Sequence, residues 1–176
     1  MNILIRHEKP TDHIAVFELI KDSFGKEEFS DHREHFLVER LRESDSFIQE
    51  LSLVAEVEGK IVGHILLTKI KIKNTAAEFV SLALAPVSVI PEFQNMGIGG
   101  MLIAKAHEIA RKMGYTSVVV LGHENYYPRF GYRQAHTFGI ESPFDVPKEN
   151  FMAIELIDNG LKGISGKVEY PEAFTI

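Results

Sequence analysis

The chain has 176 residues, 45% of them hydrophobic and none a cysteine, which suffices for one core and a single domain spanning 1–176. A formal net charge of -6 and a pI near 5.8 exclude a surface built to neutralise nucleic-acid phosphates or anionic lipid heads. The lack of thiols excludes a disulfide framework and thiolate catalysis.

Ile3 to Ile5 is a short apolar run, and the first nine residues reach charged side chains too early to hold the core of a signal peptide. No later stretch has membrane-spanning length, so a cytoplasmic chain without membrane contact is expected. Thr11 offers an N-cap to a helix whose apolar residues Ile14, Val16, Phe17, Ile20 and Phe24 recur three and four apart. A second helix is expected from about Asp31 to Glu43, capped by Ser30, with Phe36, Leu37 and Leu41 as its stripe. Leu51 to Val57 and Ile61 to Ile72 read as antiparallel strands joined by a tight turn at Glu58-Gly59-Lys60.

A third strand of this meander runs from about Glu78 to Val89 and contains Pro86, which cannot donate to a ladder and so marks a bulge or a parting from a neighbour. After Pro91 comes a glycine-rich turn, then a strong helical pattern from Met101 to Met113 that stops at Gly114. Ser117 to Leu121 is a buried strand, Gly122 to Tyr132 an aromatic-rich turn or short helix, and Phe151 to Ile157 a late strand. Early helices, a meander, then strand, helix and strand give an α/β class with a mixed sheet covered on both sides.

The chemistry concentrates in Gln94-Asn95-Met96-Gly97-Ile98-Gly99-Gly100. Such a turn presents main-chain N–H groups at a helix N-terminus, where unsatisfied donors and the positive dipole end favour an anion. Side chains at Gly97 and Gly99 would stand between that backbone and a phosphate. A dinucleotide fingerprint needs glycine where Leu102 stands, and a triphosphate loop needs Lys-Ser or Lys-Thr where Met101 follows Gly100, so neither applies. On composition alone, a plain tight strand-to-helix turn is the other reading.

Val89, Pro91, Gln94, Gly97 and Gly99, with Gly131-Tyr132 further on, resemble the Val-x-Pro-x-x-Gln-x-x-Gly-x-Gly signature and the later Gly-Phe pair of the GNAT superfamily of N-acetyltransferases. Leu121-Gly122-His123, the run Tyr126 to Gly131 and the ending Gly166 to Phe174 are similar to YhbS-like acetyltransferases in particular. The resemblance implies a largely antiparallel sheet that splays at the strand ending near Val89, with helices on both faces. It implies acetyl-CoA as co-substrate and no metal. Val87, Ser88 and Val89 would bond pantetheine, and the amides of Asn95, Met96, Gly97, Ile98, Gly99 and Gly100, after Gln94, would hold the pyrophosphate. A primary amine of a small molecule or peptide would attack the thioester directly, and Tyr127, four residues before Gly131, would protonate the thiolate. His123 is a candidate base because it titrates in the useful range, and Glu78, Glu92 and Glu124 are acids near the inferred cleft. His32 and His35 share one expected helix face and read as solvent-exposed. A monomer or homodimer is expected, and a non-catalytic acyl-CoA sensor is the alternative on the same fold.

Overall fold

The computed structural model describes residues 1–25 and 31–175. Strand β1 (Ile3–His7) leads through a 3-10 turn at Pro10–Asp12 into α1 (His13–Phe24), and α2 (Glu34–Arg42) follows. The meander is β2 (Ser52–Val57), β3 (Lys60–Lys73) and β4 (Glu78–Val89); α3 (Ile98–Lys112) and β5 (Ser117–Leu121) come next. The remainder is short strands: β6 (Arg133–Gln134), β7 (Ile140–Glu141), β8 (Phe151–Glu155) and β9 (Gly166–Glu169).

The sheet order is β1-β2-β3-β4-β5-β8-β6, with β9 joining the far half of β3 and β7 joining β9. Pairing is antiparallel except for β4 with β5 and β7 with β9. Glu58 and Gly59 both take positive φ, 49° and 80°, which makes the two-residue type I′ turn whose twist suits a hairpin. Residues 64 and 63 on β3 point to opposite faces, as strand geometry requires. Gly63 lies against Leu102 and Ile98 of α3, while the His64 ring lies within 3.5 Å of Glu8, which Arg42 of α2 also grips. Helices therefore cover both faces, as expected.

Two helical faces differ from the sequence expectation. In α1 the buried residues are Val16, Leu19 and Ile20, whereas Ile14 is 81% exposed. In α2 the stripe is His35, Val38 and Leu41, and Phe36 stays at the surface against the edge of Phe17. His35 is buried between the Phe17 and Phe36 rings, so an aromatic contact replaces the solvent exposure expected of it. Thr11 does not cap α1; the Asp12 carboxylate accepts the Lys9 N–H and is held by Arg6 at 2.7 Å. Arg33, not Ser30, precedes the first turn of α2, and Ser30 lies outside the described residues.

Helix α3 ends where Gly114 predicts, but it starts earlier than Met101, at Ile98, and Met101, Ala104 and Met113 of the expected stripe lie at the surface. Gly97 stands at its N-cap with φ 81°, and at the other end Tyr115 N–H bonds Ala110 O while Gly114 N–H bonds Arg111 O. That pair of bonds is a Schellman cap, and Gly114 supplies its left-handed residue at φ 94°. Ile98, Leu102, Ile103, Ala106 and Ala110 are buried against the sheet, each larger aliphatic contributing about 1.5–3 kcal/mol.

Candidate functional site

Strand β4 has two halves. Its first half pairs with β5 only at Leu82↔Val118 and Ala83↔Val119. Beyond Ala83 the β5 edge of β4 carries no ladder, and the strand runs on to Val89 beside β3 alone. Between Ile65↔Val87 and Leu67↔Leu84 the register shifts by one extra residue on β4, around a cis Ala85–Pro86 bond. The bulge thus lies where Pro86 predicts it and where the two strands part.

Main-chain direction in the second half follows from one bond. Ile90 N–H reaches Val62 O at 2.9 Å, so alternation turns Ser88 toward β3 and turns Val87 and Val89 toward the open edge. Val89 O is occupied by the Gln94 amide at 2.9 Å and the Ser23 hydroxyl at 3.2 Å. Val89 N–H and both main-chain groups of Val87 face the gap. Of the three strand residues singled out in the sequence, Ser88 offers its backbone to β3 and its side chain to the face of α1 and α2.

The loop after β4 makes a 3-10 turn at Pro91–Phe93, then passes through Asn95 at φ 64° and Gly97 at φ 81° into α3. Gln94 N–H closes on Pro91 O at 3.3 Å, and Met101 N–H on Gly97 O at 3.0 Å. Among the described residues the amides of Asn95, Met96, Gly97, Ile98, Gly99 and Gly100 have no hydrogen-bond acceptor. These six open donors at the positive end of a 15-residue helix form a candidate anion cradle. Gln94 shapes it from behind by holding Val89 O. The glycines act by two means: Gly97 supplies the positive φ, while a Cβ on Gly99 would stand 2.6 Å from Tyr126 Oη. A Cβ on Gly100 would stand 3.0 Å from Phe130. The tight contact at Gly99 is thus with an aromatic of this chain as well as with any ligand on the amides, a feature the sequence did not signal.

That aromatic belongs to the segment between β5 and β6, which bridges the end of β5 and the start of α3. Tyr127 lies against Gly122, where no Cβ fits, and meets Tyr126 and Tyr132 edge-on at centroid distances of 5.0 and 5.7 Å. Burial pushes its phenol well above the ordinary value, so the hydroxyl keeps its proton at neutral pH. That hydroxyl has no partner among the described residues, yet it is absent from the fully enclosed polar atoms, so it touches accessible space. Tyr132 is buried and its hydroxyl bonds His107 Nε2 at 2.8 Å. Burial brings His107 down to about 4, so it stays neutral.

His123 is exposed, directly after β5, and its carbonyl accepts the Tyr126 N–H at 3.1 Å. Glu124 takes the Asn150 amide at 2.8 Å. Glu78, at the start of β4, pairs with Lys71 and Lys73 at the end of the strand remote from the loop. Phe138 lies under Arg133 and Phe144 stacks on Tyr170, so these two pack locally; Phe29 lies outside the described residues.

Sequence reasoning missed a second polar group, on the opposite face. Glu8, following β1, is 6% exposed and receives the Ser52 hydroxyl and the Arg42 guanidinium in short hydrogen bonds. His64, fully buried on β3, sits with Nε2 3.2 Å from Ser52 Oγ and 3.5 Å from Glu8 Oε2. Burial alone would raise Glu8, but His64, the Ser52 hydroxyl and the Arg42 charge hold its carboxyl well below the ordinary range. Burial lowers His64, with Glu8 opposing the shift. The one signal in the sequence was a histidine inside the apolar run Ile61 to Leu67.

Comparison with known proteins agrees with this geometry. Residues 14–132 match the model of the acetyltransferase (GNAT) family. The chain is 44% identical over 123 residues to the uncharacterized N-acetyltransferase YjhQ of Escherichia coli, covering 69% of this chain and 68% of that one. It is 30% identical over 173 residues to the uncharacterized N-acetyltransferase YhbS of the same organism, 98% of each. The crystal structure of E. coli YhbS in complex with CoA superposes with a TM-score of 0.89 at 27% identity, covering all of this chain and 93% of that one. A GNAT family acetyltransferase from Brucella melitensis in complex with acetyl-CoA gives 0.79 at 30% identity, covering 98% of both. Among the described residues no helix is long and apolar enough to cross a membrane. With two thirds of its length under the family model and a full-length relative sharing its fold, the chain belongs to the GNAT acetyltransferase family.

Proposed function

We propose that the protein transfers an acetyl group from acetyl-CoA to a primary amine of a small molecule or peptide, by direct attack within a ternary complex. The observation that carries this reading is the pairing of an open β4 edge with six unsatisfied amides at the start of α3. The two are contiguous in the chain and match a ligand with an amide-bearing arm and a diphosphate. Val87 and Val89 bond the arm as a neighbouring strand would. Asn95 to Gly100 bond the diphosphate, several weak amide contacts of about 0.3–1 kcal/mol acting together.

When bound, acetyl-CoA supplies an activated thioester. The free main-chain donors on β4 polarise its carbonyl and steady the developing oxyanion. Tyr127, kept protonated by burial and with a hydroxyl that is not fully enclosed, delivers its proton to the departing thiolate. The net reaction converts amine and thioester into amide and free thiol.

Calorimetry with acetyl-CoA and with CoA, followed by thiol release over a panel of amines, tests the reading. Binding of both with amine-dependent release is expected. Binding without release on any amine would favour a sensor, and no binding at millimolar acetyl-CoA would remove the cofactor assignment altogether.

A further inference from the structure

Strand β5 pairs with β8 from Ser117↔Glu155 to Leu121↔Phe151, so Gly122 and Asn150 are the next partners in register. A hydrogen-bonded antiparallel pair exchanges two main-chain bonds. Here the main chain makes only one: Gly122 N–H reaches Asn150 O at 2.9 Å, while Asn150 N–H is turned onto Pro147 O at 3.1 Å. A side chain supplies the second, as Asn150 Nδ2 donates to Gly122 O at 3.0 Å. The same nitrogen donates to Glu124 Oε2 at 2.8 Å. An amide nitrogen carries two hydrogens, so both are spent and the side-chain orientation is fixed.

What this clamp holds is the surface under Tyr127. A Cβ on Gly122 would run into Tyr127 Cε2 and would stand 3.3 Å from Cζ, the carbon that bears the hydroxyl. The ring edge next to the hydroxyl therefore lies directly on the Gly122 main chain. The link between the two residues is short and closed, since Tyr126 N–H bonds His123 O at 3.1 Å. Only glycine leaves room for the ring, and glycine is also the residue whose own sterics constrain its backbone least. A tyrosine resting on an unclamped glycine would move with it. Asn150 removes that freedom from 28 positions along the chain.

We propose that Asn150 is a positioning residue for proton transfer: its side-chain amide replaces the missing ladder donor at Gly122 O and so fixes the surface on which the Tyr127 ring lies. This rests on the reading of Tyr127 as the donor to the departing thiolate. Asn150 acts through Gly122 and not on the reacting atoms. Aspartate in its place has nearly the same shape but no hydrogen to give at neutral pH, and it sets a negative charge against Gly122 O and the Glu124 carboxylate.

The test is a double-mutant cycle of Asn150→Asp and Tyr127→Phe, with Asn150→Ala as an uncharged second variant should the new carboxylate disturb folding. With the amine that gives the fastest thiol release, each Asn150 variant is expected to lower kcat about fivefold or more, with the acetyl-CoA Kd within about twofold, because small misplacements of an acting group are costly. In the Tyr127→Phe background the same substitutions should change kcat by less than about twofold, since no phenol is left to misplace. NMR of protein labelled with carbon-13 in the tyrosine rings gives a readout that needs no turnover: the Tyr127 signals should move or broaden in both Asn150 variants, and those of Tyr132 should hold. Equal losses in the two backgrounds would make the asparagine merely structural and overturn the proposal. A loss of turnover that tracks weakened acetyl-CoA binding, or Tyr127 signals unchanged in both variants, would do the same. If Tyr127→Phe alone leaves thiol release unchanged, the donor reading falls instead, and the ring signals still decide whether Asn150 holds Tyr127.

Discussion

The two faces of β4 are built on different plans. On the α3 side the candidate cofactor cleft is made of backbone: an interrupted ladder, a string of open amides, and glycines that keep them reachable. On the α1/α2 side the row of Glu8, Arg42, Ser52 and His64 is made of side chains, drawn from β1's end, α2, β2 and β3. Backbone recognition needs only correct dihedrals over one continuous stretch, so it tolerates substitution of most side chains. A side-chain row needs four separate elements to arrive together, and it fails when one is removed.

Four substitutions sharpen that contrast. Glu8→Gln should have the largest effect, because it leaves the Arg42 charge buried without a counterion, at a cost of about 3–5 kcal/mol in urea denaturation at pH 7. The sign with pH follows from a depressed carboxyl: the stabilisation is full above 4.5 and is lost as pH falls toward about 2. Wild type and Glu8→Gln should therefore converge on acidification, and a gap that persists at pH 2 would remove the carboxylate from the account. Gly99→Ala comes next. Its Cβ would meet Tyr126 Oη at 2.6 Å, an overpacking of about 1–3 kcal/mol, with acetyl-CoA binding weakened accordingly. Adding Tyr126→Phe should restore binding by removing the oxygen, and failure of that rescue would show that the methyl obstructs the ligand itself.

Tyr127→Phe should leave acetyl-CoA affinity intact and lower turnover at least tenfold, about 1.4 kcal/mol of barrier. Unchanged thiol release would retire the phenol as proton donor. Smallest is Tyr132→Phe, which strips His107 of its partner and should cost about 1 kcal/mol in thermal denaturation, with no change in Kd.

The cleft was legible in the sequence because its determinants are consecutive. Pro86, Gly97 and Gly114 each fix a local conformation, and β4 and β5 begin and end where their patterns predict. Strand β9 was not legible, since Gly166–Glu169 has no strand pattern and owes its state to Lys71, Ile72 and Lys73 across the ladder. The faces of α1 and α2 were misjudged at Ile14 and Phe36 because several registers of a short, aromatic-rich helix satisfy the period equally. The buried row escaped entirely: Glu8 and His64 are 56 positions apart, and nothing local joins a carboxylate after one strand to an imidazole within another.

Val89 O is shared by Ser23, from the last turn of α1, and Gln94, from the glycine loop. One oxygen atom is therefore a knot between the helix that leads to residues 26–30 and the turn that would grip a diphosphate. Tugging either cord pulls on the same strand end, so a ligand seated on the loop would make itself felt in the last turn of α1.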